Sequence, residues 1–283
     1  MADELIRFIF DTTDIRGEWV QLQNSYTDAL ANHHYPPGVR RLIGEFLAAA
    51  SLMGATLKFE GNLILQARSD GQVPLIMAEA TSTGAVRAIV RGAETAIGDD
   101  FQTLIGQGQL AITIDPINGQ RYQGIIALEG DSLARCLEDY FRQSEQLPTR
   151  FWLAVDDTRA AGLLLQELPG KTEASVRAEQ WQHLIALTET VSAAELLELP
   201  AEELLHRLFH QEQLRLLRRD PIEFRCSCSQ ARTEAMLISL GAAEIESILA
   251  EQGGIDVNCE FCLQNYHFTP AQARQLFTAP SAH

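Results

Sequence analysis

The spacing of apolar positions changes along the chain and divides it into segments. In the first 56 residues the apolar positions follow helical spacing, most clearly after the helix-breaking sequence Pro36-Pro37-Gly38. From Val39 to Leu57 they recur every three or four residues, and many of the intervening positions are alanine. The pattern predicts that residues 1–56 are mostly helical and include one buried helix.

From Leu57 to Leu128 the pattern changes to short runs rich in β-branched residues. These runs begin at Leu63, Val73, Val86, Leu110 and Tyr122. Glycine-containing turns separate them, and Asn118-Gly119 is a strong β-hairpin signal. A helix from Ser132 to Ser144 and strands at Phe151–Val155 and Gly162–Leu168 are predicted to follow. Residues 1–170 therefore read as an α+β core of mixed sheet and helix.

Residues 171–225 have a different character and are predicted to form a helical linker. After a polar, loop-like start (171–178), short amphipathic segments begin at Trp181, Ala193 and Ala201, and we expect the helices to extend to about Leu217. Short helices are marginal alone and need a partner surface. Their apolar faces either dock permanently on the core or dock conditionally.

The last segment, residues 226–283, is predicted to be a small separate domain. Helical patterns cover about Ala231–Leu240 and Ala243–Glu251, and Thr269-Pro270 marks the start of a final helix. So few residues give a thin apolar core, so we expect a bound metal to supply most of the folding energy.

Four of the five cysteines lie in this segment, as Cys226-Ser-Cys228 and Cys259-Glu-Phe-Cys262. Each pair is a chelating half-site, and two half-sites provide the four thiolates of a closed tetrahedral zinc site. Iron–sulfur ligation and a structural zinc site without a regulatory role are the alternatives. His267 is near the site but is expected to be a surface or packing residue. The fifth cysteine, Cys136, lies within the predicted helix after Ser132 and is expected to be a buried apolar residue.

The first half-site departs from the usual CxxC spacing. A disulfide between Cys226 and Cys228 would close a small, strained ring, and strained disulfides are the labile, regulatory ones. Thiolates are the form of cysteine that oxidants attack. Oxidation would remove the metal ligands and with them the folding energy of the domain, so the arrangement could convert an oxidant signal into unfolding.

Charge and composition limit the possible partners. The net charge is −16, and residues 226–283 contain only two basic residues besides histidine, Arg232 and Arg274. Nucleic-acid-binding zinc domains usually present a basic face, so nucleic acid is a poor partner. No run approaches the ~20 apolar residues of a membrane span. The N-terminus lacks signal-peptide features, so we expect a cytoplasmic protein with reduced thiols and no membrane partner.

Together these motifs resemble the heat-shock protein 33 family of redox-regulated holdase chaperones. The resemblance rests on the CxC and CxxC pairs separated by thirty residues at the C-terminal end, and it extends over essentially the whole chain. Further segments carry it: Ala55-Thr-Leu-Lys-Phe59, Arg121-Tyr-Gln-Gly124, Leu128-Glu-Gly-Asp131, Cys136-Leu-Glu-Asp-Tyr-Phe141, Ser144-Glu-Gln-Leu-Pro-Thr-Arg150 and Leu187-Thr-Glu-Thr190.

The resemblance implies an ATP-independent chaperone rather than an enzyme. By it, Cys226, Cys228, Cys259 and Cys262 bind one zinc ion per chain in the reduced, inactive state. Oxidation then forms Cys226–Cys228 and Cys259–Cys262 disulfides and releases zinc. The linker loses its order, and the protein binds unfolding clients, typically as a homodimer. A thiol–disulfide oxidoreductase or redox sensor using Cys259 and Cys262 is the alternative, although oxidoreductase CxxC motifs usually begin a helix in a thioredoxin-like fold.

Overall fold

The computed structural model describes residues 3–56, 60–170 and 172–277. The chain forms two compact units, Met1–Arg225 and Cys226–His283. Residues 57–59 of the Ala55–Phe59 motif, residue 171 at the start of the linker and residues 278–283 lie outside the described residues.

The first unit contains a five-stranded antiparallel sheet with strand order β10-β1-β2-β9-β8. Its strands are β1 (Glu4–Phe10), β2 (Ile15–Leu22), β8 (Thr149–Val155), β9 (Ala160–Glu167) and β10 (Leu214–Pro221). Both faces of the central strands are buried. In β2, Val20 and Leu22 belong to one apolar core, whereas Ile15 and Trp19 belong to another. This sheet therefore separates two cores.

A six-stranded sheet with order β11-β5-β4-β3-β6-β7 completes the strands of this unit. It consists of β3 (Gly61–Ser69), β4 (Leu75–Thr81), β5 (Ala85–Arg91), β6 (Gly108–Pro116), β7 (Tyr122–Ala127) and the short β11 (Glu223–Phe224). Neighbours are antiparallel except β11 and β5. The predicted Asn118-Gly119 turn joins β6 to β7, and Gly119 has a φ of 154°.

The helix α2 (Pro37–Gly54) packs on strands of both sheets and is buried along most of its length. Phe46, Leu47 and Leu52 are fully buried in the core that the two sheets share. This is the predicted buried helix. The remaining helices around this core are α1 (Asn24–Leu30), α3 (Phe101–Ile105) and α4 (Leu133–Tyr140), and α4 continues into a π-helical turn (Phe141–Glu145).

Three helices cover the other face of the five-stranded sheet. They are α5 (Ala174–Thr188), α6 (Ala193–Glu198) and α7 (Ala201–Phe209), here called the helical layer. Buried side chains of these helices, such as Leu184, Leu197 and Leu204, pack in one core with Phe8 and Trp19 of the sheet. Here the partner surface that the short helices need is the five-stranded sheet.

Three predictions of local structure are wrong. Residues 1–56 are not mostly helical, because the chain begins with β1 and β2. The helical pattern also does not reach Leu217, since Leu214–Pro221 is strand β10, paired with β1. In addition, α5 begins at Ala174, within the part of the linker predicted to be a loop.

The second unit contains α8 (Gln230–Leu240), α9 (Ala242–Gln252), the hairpin β12 (Ile255–Asn258) and β13 (Asn265–Phe268), and α10 (Pro270–Gln275). All three predicted helices are present, and Thr269 caps α10 in a capping box. The buried apolar core has few members: Leu237, Ile245, Leu249, Ile255, Phe268 and Ala273. The mixed α+β architecture predicted for the chain is confirmed.

Candidate metal centre

The two cysteine pairs of the second unit are placed by different kinds of backbone. Cys226 and Cys228 lie in a segment without regular secondary structure that ends at Ser229, whose hydroxyl accepts a hydrogen bond from the backbone N–H of Arg232 and caps α8. Cys259 and Cys262 lie in the turn of the β12–β13 hairpin. In this turn Leu263 has a φ of 57°, and its N–H donates to the carbonyl of Cys259 over 2.8 Å.

All four sulfur atoms converge on one point. The Sγ atoms of Cys226, Cys228, Cys259 and Cys262 lie within 4.8 Å of one another, and each side chain is half-buried. The sulfurs of Cys226 and Cys259 are 3.5 Å apart, and those of Cys228 and Cys262 are 3.4 Å apart. Thiolates bound to tetrahedral zinc at about 2.3 Å would be about 3.8 Å from one another. The arrangement therefore fits a four-coordinate metal ion.

The chemistry of the donor set favours a soft or borderline cation. Four thiol groups with no carboxylate or imidazole among them match the closed zinc sites of structural domains. Burial raises the pKa of the Cys262 thiol to about 12, and the neighbouring thiols add to the rise. A bound cation reverses this preference, because it stabilises the thiolate. A bound cation would thus let Cys262 act as a thiolate ligand.

Two polar side chains support the cysteines. The hydroxyl of Tyr266, on β13, donates a hydrogen bond to Cys228 Sγ over 3.2 Å. The Arg232 guanidinium donates through Nη1 to the carbonyl and the hydroxyl of Ser227, at 3.1 and 2.7 Å. Both therefore act on the Cys226–Cys228 half-site. Neither was predicted: no sequence spacing signals the hydrogen bond from strand β13 to the distant Cys228, and a single arginine near the start of a helix does not show which group it will contact.

Two predictions about residues outside the cluster are confirmed. Cys136 lies on α4 in the first unit, is 1% exposed, and its thiol pKa is raised by burial. It is therefore a packing residue. His267 is exposed on β13 and its Nδ1 lies 3.0 Å from the Asp256 carboxylate, which makes it a surface residue.

The CxxC pair does not have the geometry of a dithiol oxidoreductase. Reactive cysteines of that class gain a low thiol pKa from a helix N-terminus. Cys259 and Cys262 instead lie in a turn between two strands, and burial raises the Cys262 pKa. This arrangement does not favour the alternative prediction of thiol–disulfide exchange catalysis.

Among the described residues, no helix is both long and apolar enough to cross a membrane.

The comparisons with known proteins agree with the sequence resemblance. A family profile described as Hsp33 protein matches residues 3–269. The 33 kDa chaperonin of Pseudomonas paraeruginosa is 51% identical over 281 residues, covering 98% of this chain and 95% of that protein. The 33 kDa chaperonin of Hahella chejuensis is 48% identical over 283 residues, covering 100% of this chain and 99% of that protein.

A solved structure shows the same fold. The crystal structure of the 33 kDa chaperonin (Hsp33 homologue) from Thermotoga maritima superposes with a TM-score of 0.84, at 21% identity, covering 97% of this chain and 98% of that one. At this identity the likeness concerns the fold, whereas the family profile and the relatives near 50% identity concern the sequence. On this evidence the chain belongs to the Hsp33 family.

Proposed function

We propose that this protein is a redox-regulated, ATP-independent holdase chaperone that is inactive when reduced and zinc-bound. Membership of the Hsp33 family, with relatives named 33 kDa chaperonin, supports a chaperone function. The convergence of four cysteine sulfurs within 4.8 Å, in a unit of its own, is the observation that carries the redox part of the proposal.

The metal would stabilise a unit that has little else to hold it. Among residues 226–277 the buried apolar core consists of six residues, which cannot offset much conformational entropy. Zinc would be held by Cys226, Cys228, Cys259 and Cys262, one ion per chain, and supplies on the order of 10 kcal/mol in small zinc-dependent units. Losing the four thiolates would therefore unfold this unit.

An oxidant such as hydrogen peroxide can remove the thiolates in two steps. One thiolate attacks a peroxide oxygen, the O–O bond breaks, and hydroxide leaves, which gives a sulfenic acid. The partner thiolate then attacks that sulfur, the S–S bond forms, and a second hydroxide leaves; each hydroxide takes a proton to become water. We propose Cys226–Cys228 and Cys259–Cys262 as the two disulfides, so each half-site closes on itself and no bond joins them.

The helical layer is the proposed effector. Its apolar side chains cover the five-stranded sheet, and Phe209 contacts Phe10 with ring centroids 5.0 Å apart. Release of α5–α7 would expose both the helix faces and the sheet face, which gives unfolding clients an extended apolar surface. A second copy of the chain can cover the same kind of surface, so the oxidised protein would be a homodimer. The cysteines would be reduced in the cytoplasm until an oxidant is present.

The decisive experiment measures zinc content and suppression of client aggregation, before and after peroxide treatment. The reduced protein should hold one zinc ion per chain and be nearly inactive. Oxidised protein should be zinc-free and active without ATP. Cys228→Ser should weaken zinc binding, whereas Cys136→Ser, the matched control, should leave the zinc content unchanged.

A truncated chain separates the sensor from the effector. Removing residues 226–283 should imitate oxidation, so that the shortened protein suppresses aggregation under reducing conditions and no longer responds to peroxide. A truncated chain that is folded but binds no client would show that the cysteine unit supplies the binding surface itself, and the release mechanism would be wrong.

A further inference from the structure

We propose that Tyr266 is a positioning residue for Cys228, and that its hydroxyl sets how tightly the four cysteines hold a metal and how fast they oxidise. This inference rests on the proposed zinc-dependent redox function and adds a regulator to the same site. It is carried by one contact, the 3.2 Å hydrogen bond from the Tyr266 hydroxyl to Cys228 Sγ.

The hairpin fixes the position of that hydroxyl. Tyr266 is on β13 and pairs with Val257 on β12, and the neighbouring pair, Asn258 and Asn265, is joined by a side-chain hydrogen bond of 2.9 Å. The tyrosine ring packs, partly buried, against the apolar core of the unit. Strand pairing and ring packing therefore hold the Tyr266 hydroxyl, the hydrogen-bond donor, in the hairpin that also carries the CxxC pair. The acceptor, Cys228 Sγ, belongs to the CxC pair.

The contact thus joins the two half-sites without using the metal. Cys228 and Tyr266 are 38 residues apart in the sequence. The hydrogen bond orients Cys228 toward the other three sulfurs before and after metal binding, which is the role that outer-shell groups play in metal sites. The Tyr266 hydroxyl is uncharged at neutral pH. It can therefore stabilise the Cys228 thiolate by donating a hydrogen bond, without adding a positive charge beside the metal.

The same hydrogen bond protects the sulfur from oxidants. Hydrogen bonds to charged groups are the strong ones, and a thiolate that accepts one has a less available lone pair. For Cys228 to attack a peroxide oxygen, the hydrogen bond must lengthen or break as the S–O bond forms and hydroxide leaves. Tyr266 therefore raises the oxidant level at which the CxC half-site reacts.

The test is Tyr266→Phe in the full-length chain, which removes one oxygen atom and keeps the ring. Competition with a chromophoric chelator should show zinc affinity lowered about tenfold, the lower end of the range for losing an outer-shell partner. With Co²⁺ as a spectroscopic probe, the sulfur-to-metal charge-transfer band should shift, because one thiolate has lost a donor. Thiol loss under peroxide should be faster than in the unaltered protein.

Asn265→Ala is the matched control on the same strand. It removes the side-chain bond to Asn258 but no contact to sulfur, so it reports the cost of weakening the hairpin alone. It should leave the Co²⁺ charge-transfer band unshifted.

Two results would overturn the inference. One is a Tyr266→Phe protein with unchanged zinc affinity and Co²⁺ spectrum. The other is an Asn265→Ala protein that shows the same spectral shift, which would mean that the hairpin, not the hydroxyl, is responsible. If instead the unaltered protein binds no zinc, the proposed function itself fails, so the two failures are distinguishable.

Discussion

Arg150 Nη2 lies 3.1 Å from the carboxylate of Glu189, and this ion pair joins strand β8 to the C-terminal end of α5. The same guanidinium lies 3.0 Å, through Nε, from the carboxylate of Glu138 on α4. The three residues come from the segments Cys136–Phe141, Ser144–Arg150 and Leu187–Thr190, all of which carried the family resemblance. Three segments that are separate in sequence thus meet at one contact between the core and the helical layer.

The first prediction concerns this contact. Glu189→Gln should destabilise docking of the helical layer only slightly, by about 0.5 kcal/mol, because exposed ion pairs contribute little. Arg150→Met should cost more, about 1–2 kcal/mol, because it also removes one of the two cations beside the largely buried Glu138 carboxylate and leaves only Arg135. Aggregation suppression by the reduced proteins should therefore rise in the order unaltered, Glu189→Gln, Arg150→Met.

Salt provides the control for this prediction. Since the Arg150–Glu189 pair is exposed, 0.5 M salt should reduce the difference between the unaltered protein and Glu189→Gln. Equal activity of all three reduced proteins would show that this contact does not hold the layer in place.

The second prediction concerns the apolar contact beneath the layer. Phe209 of α7 is 2% exposed and contacts the rings of Phe8 and Phe10. Phe209→Ala should cost about 3–5 kcal/mol, because it removes a large buried side chain. Most of that cost falls on the docking of α7, so the reduced variant should suppress aggregation without an oxidant. Phe46→Ala, in α2, is the control; it damages the shared core and should lower the unfolding midpoint without producing a zinc-bound, active protein.

The third prediction concerns the pH dependence of stability. Glu18, on β2, is 2% exposed, and burial raises the pKa of its carboxyl to about 7, although Arg16 and Arg7 oppose the rise. Because the folded-state pKa lies above the unfolded value of 4.5, the folded protein binds the extra proton. Stability should therefore fall as pH rises from about 4.5 to 7, by about 3 kcal/mol from this group.

Glu18→Gln removes this group and should reduce the slope of unfolding free energy against pH, measured by urea denaturation. Part of the slope should remain, because burial also raises the pKa of Glu45 to about 7. The exposed Glu129→Gln is the matched control. An unchanged slope in Glu18→Gln would mean that burial does not raise the pKa of Glu18 in the folded protein.

The fourth prediction concerns the order of oxidation. A disulfide between Cys259 and Cys262 closes a larger and less strained ring than one between Cys226 and Cys228, so it should form first under mild peroxide. Trapping the remaining thiols at intervals and mapping them by mass spectrometry gives the order. Early bridges between Cys226 and Cys259, or between Cys228 and Cys262, would contradict it; these are the pairs whose sulfurs lie 3.5 and 3.4 Å apart.

The sequence predicted the turns and helix starts that depend on a few neighbouring residues. The Asn118-Gly119 turn, the Ser132 cap of α4 and the Thr269 cap of α10 each depend on a few consecutive residues. The first two strands were missed because they are buried on both faces, so their apolar residues do not alternate with polar ones. Strand β10 was missed because the strand it pairs with, β1, is more than 200 residues away.

In the candidate metal centre, too, some residues could be predicted from the sequence and others could not. The spacing of Cys226, Cys228, Cys259 and Cys262 led to a four-sulfur cluster, and the structure brings these sulfurs together. The role of Tyr266 could not be predicted, since its contact with Cys228 joins residues 38 positions apart, whereas the contact of Arg232 with Ser227 spans five residues and depends on how the start of α8 follows the CxC pair. Likewise, the network of Glu138, Arg150 and Glu189 follows from the packing of α5 beside α4 and β8.

The pairing of β1 with β10 also affects how the chain folds as it is synthesised. Glu4 pairs with Pro221, so this edge of β1 stays open until nearly four-fifths of the chain has been made. An open strand edge that carries apolar side chains is prone to pair with other chains, and such long-range contacts form slowly. The residues that close it come directly before Cys226 in the sequence. A nascent chain therefore protects its own first strand only shortly before Cys226 and Cys228 are synthesised.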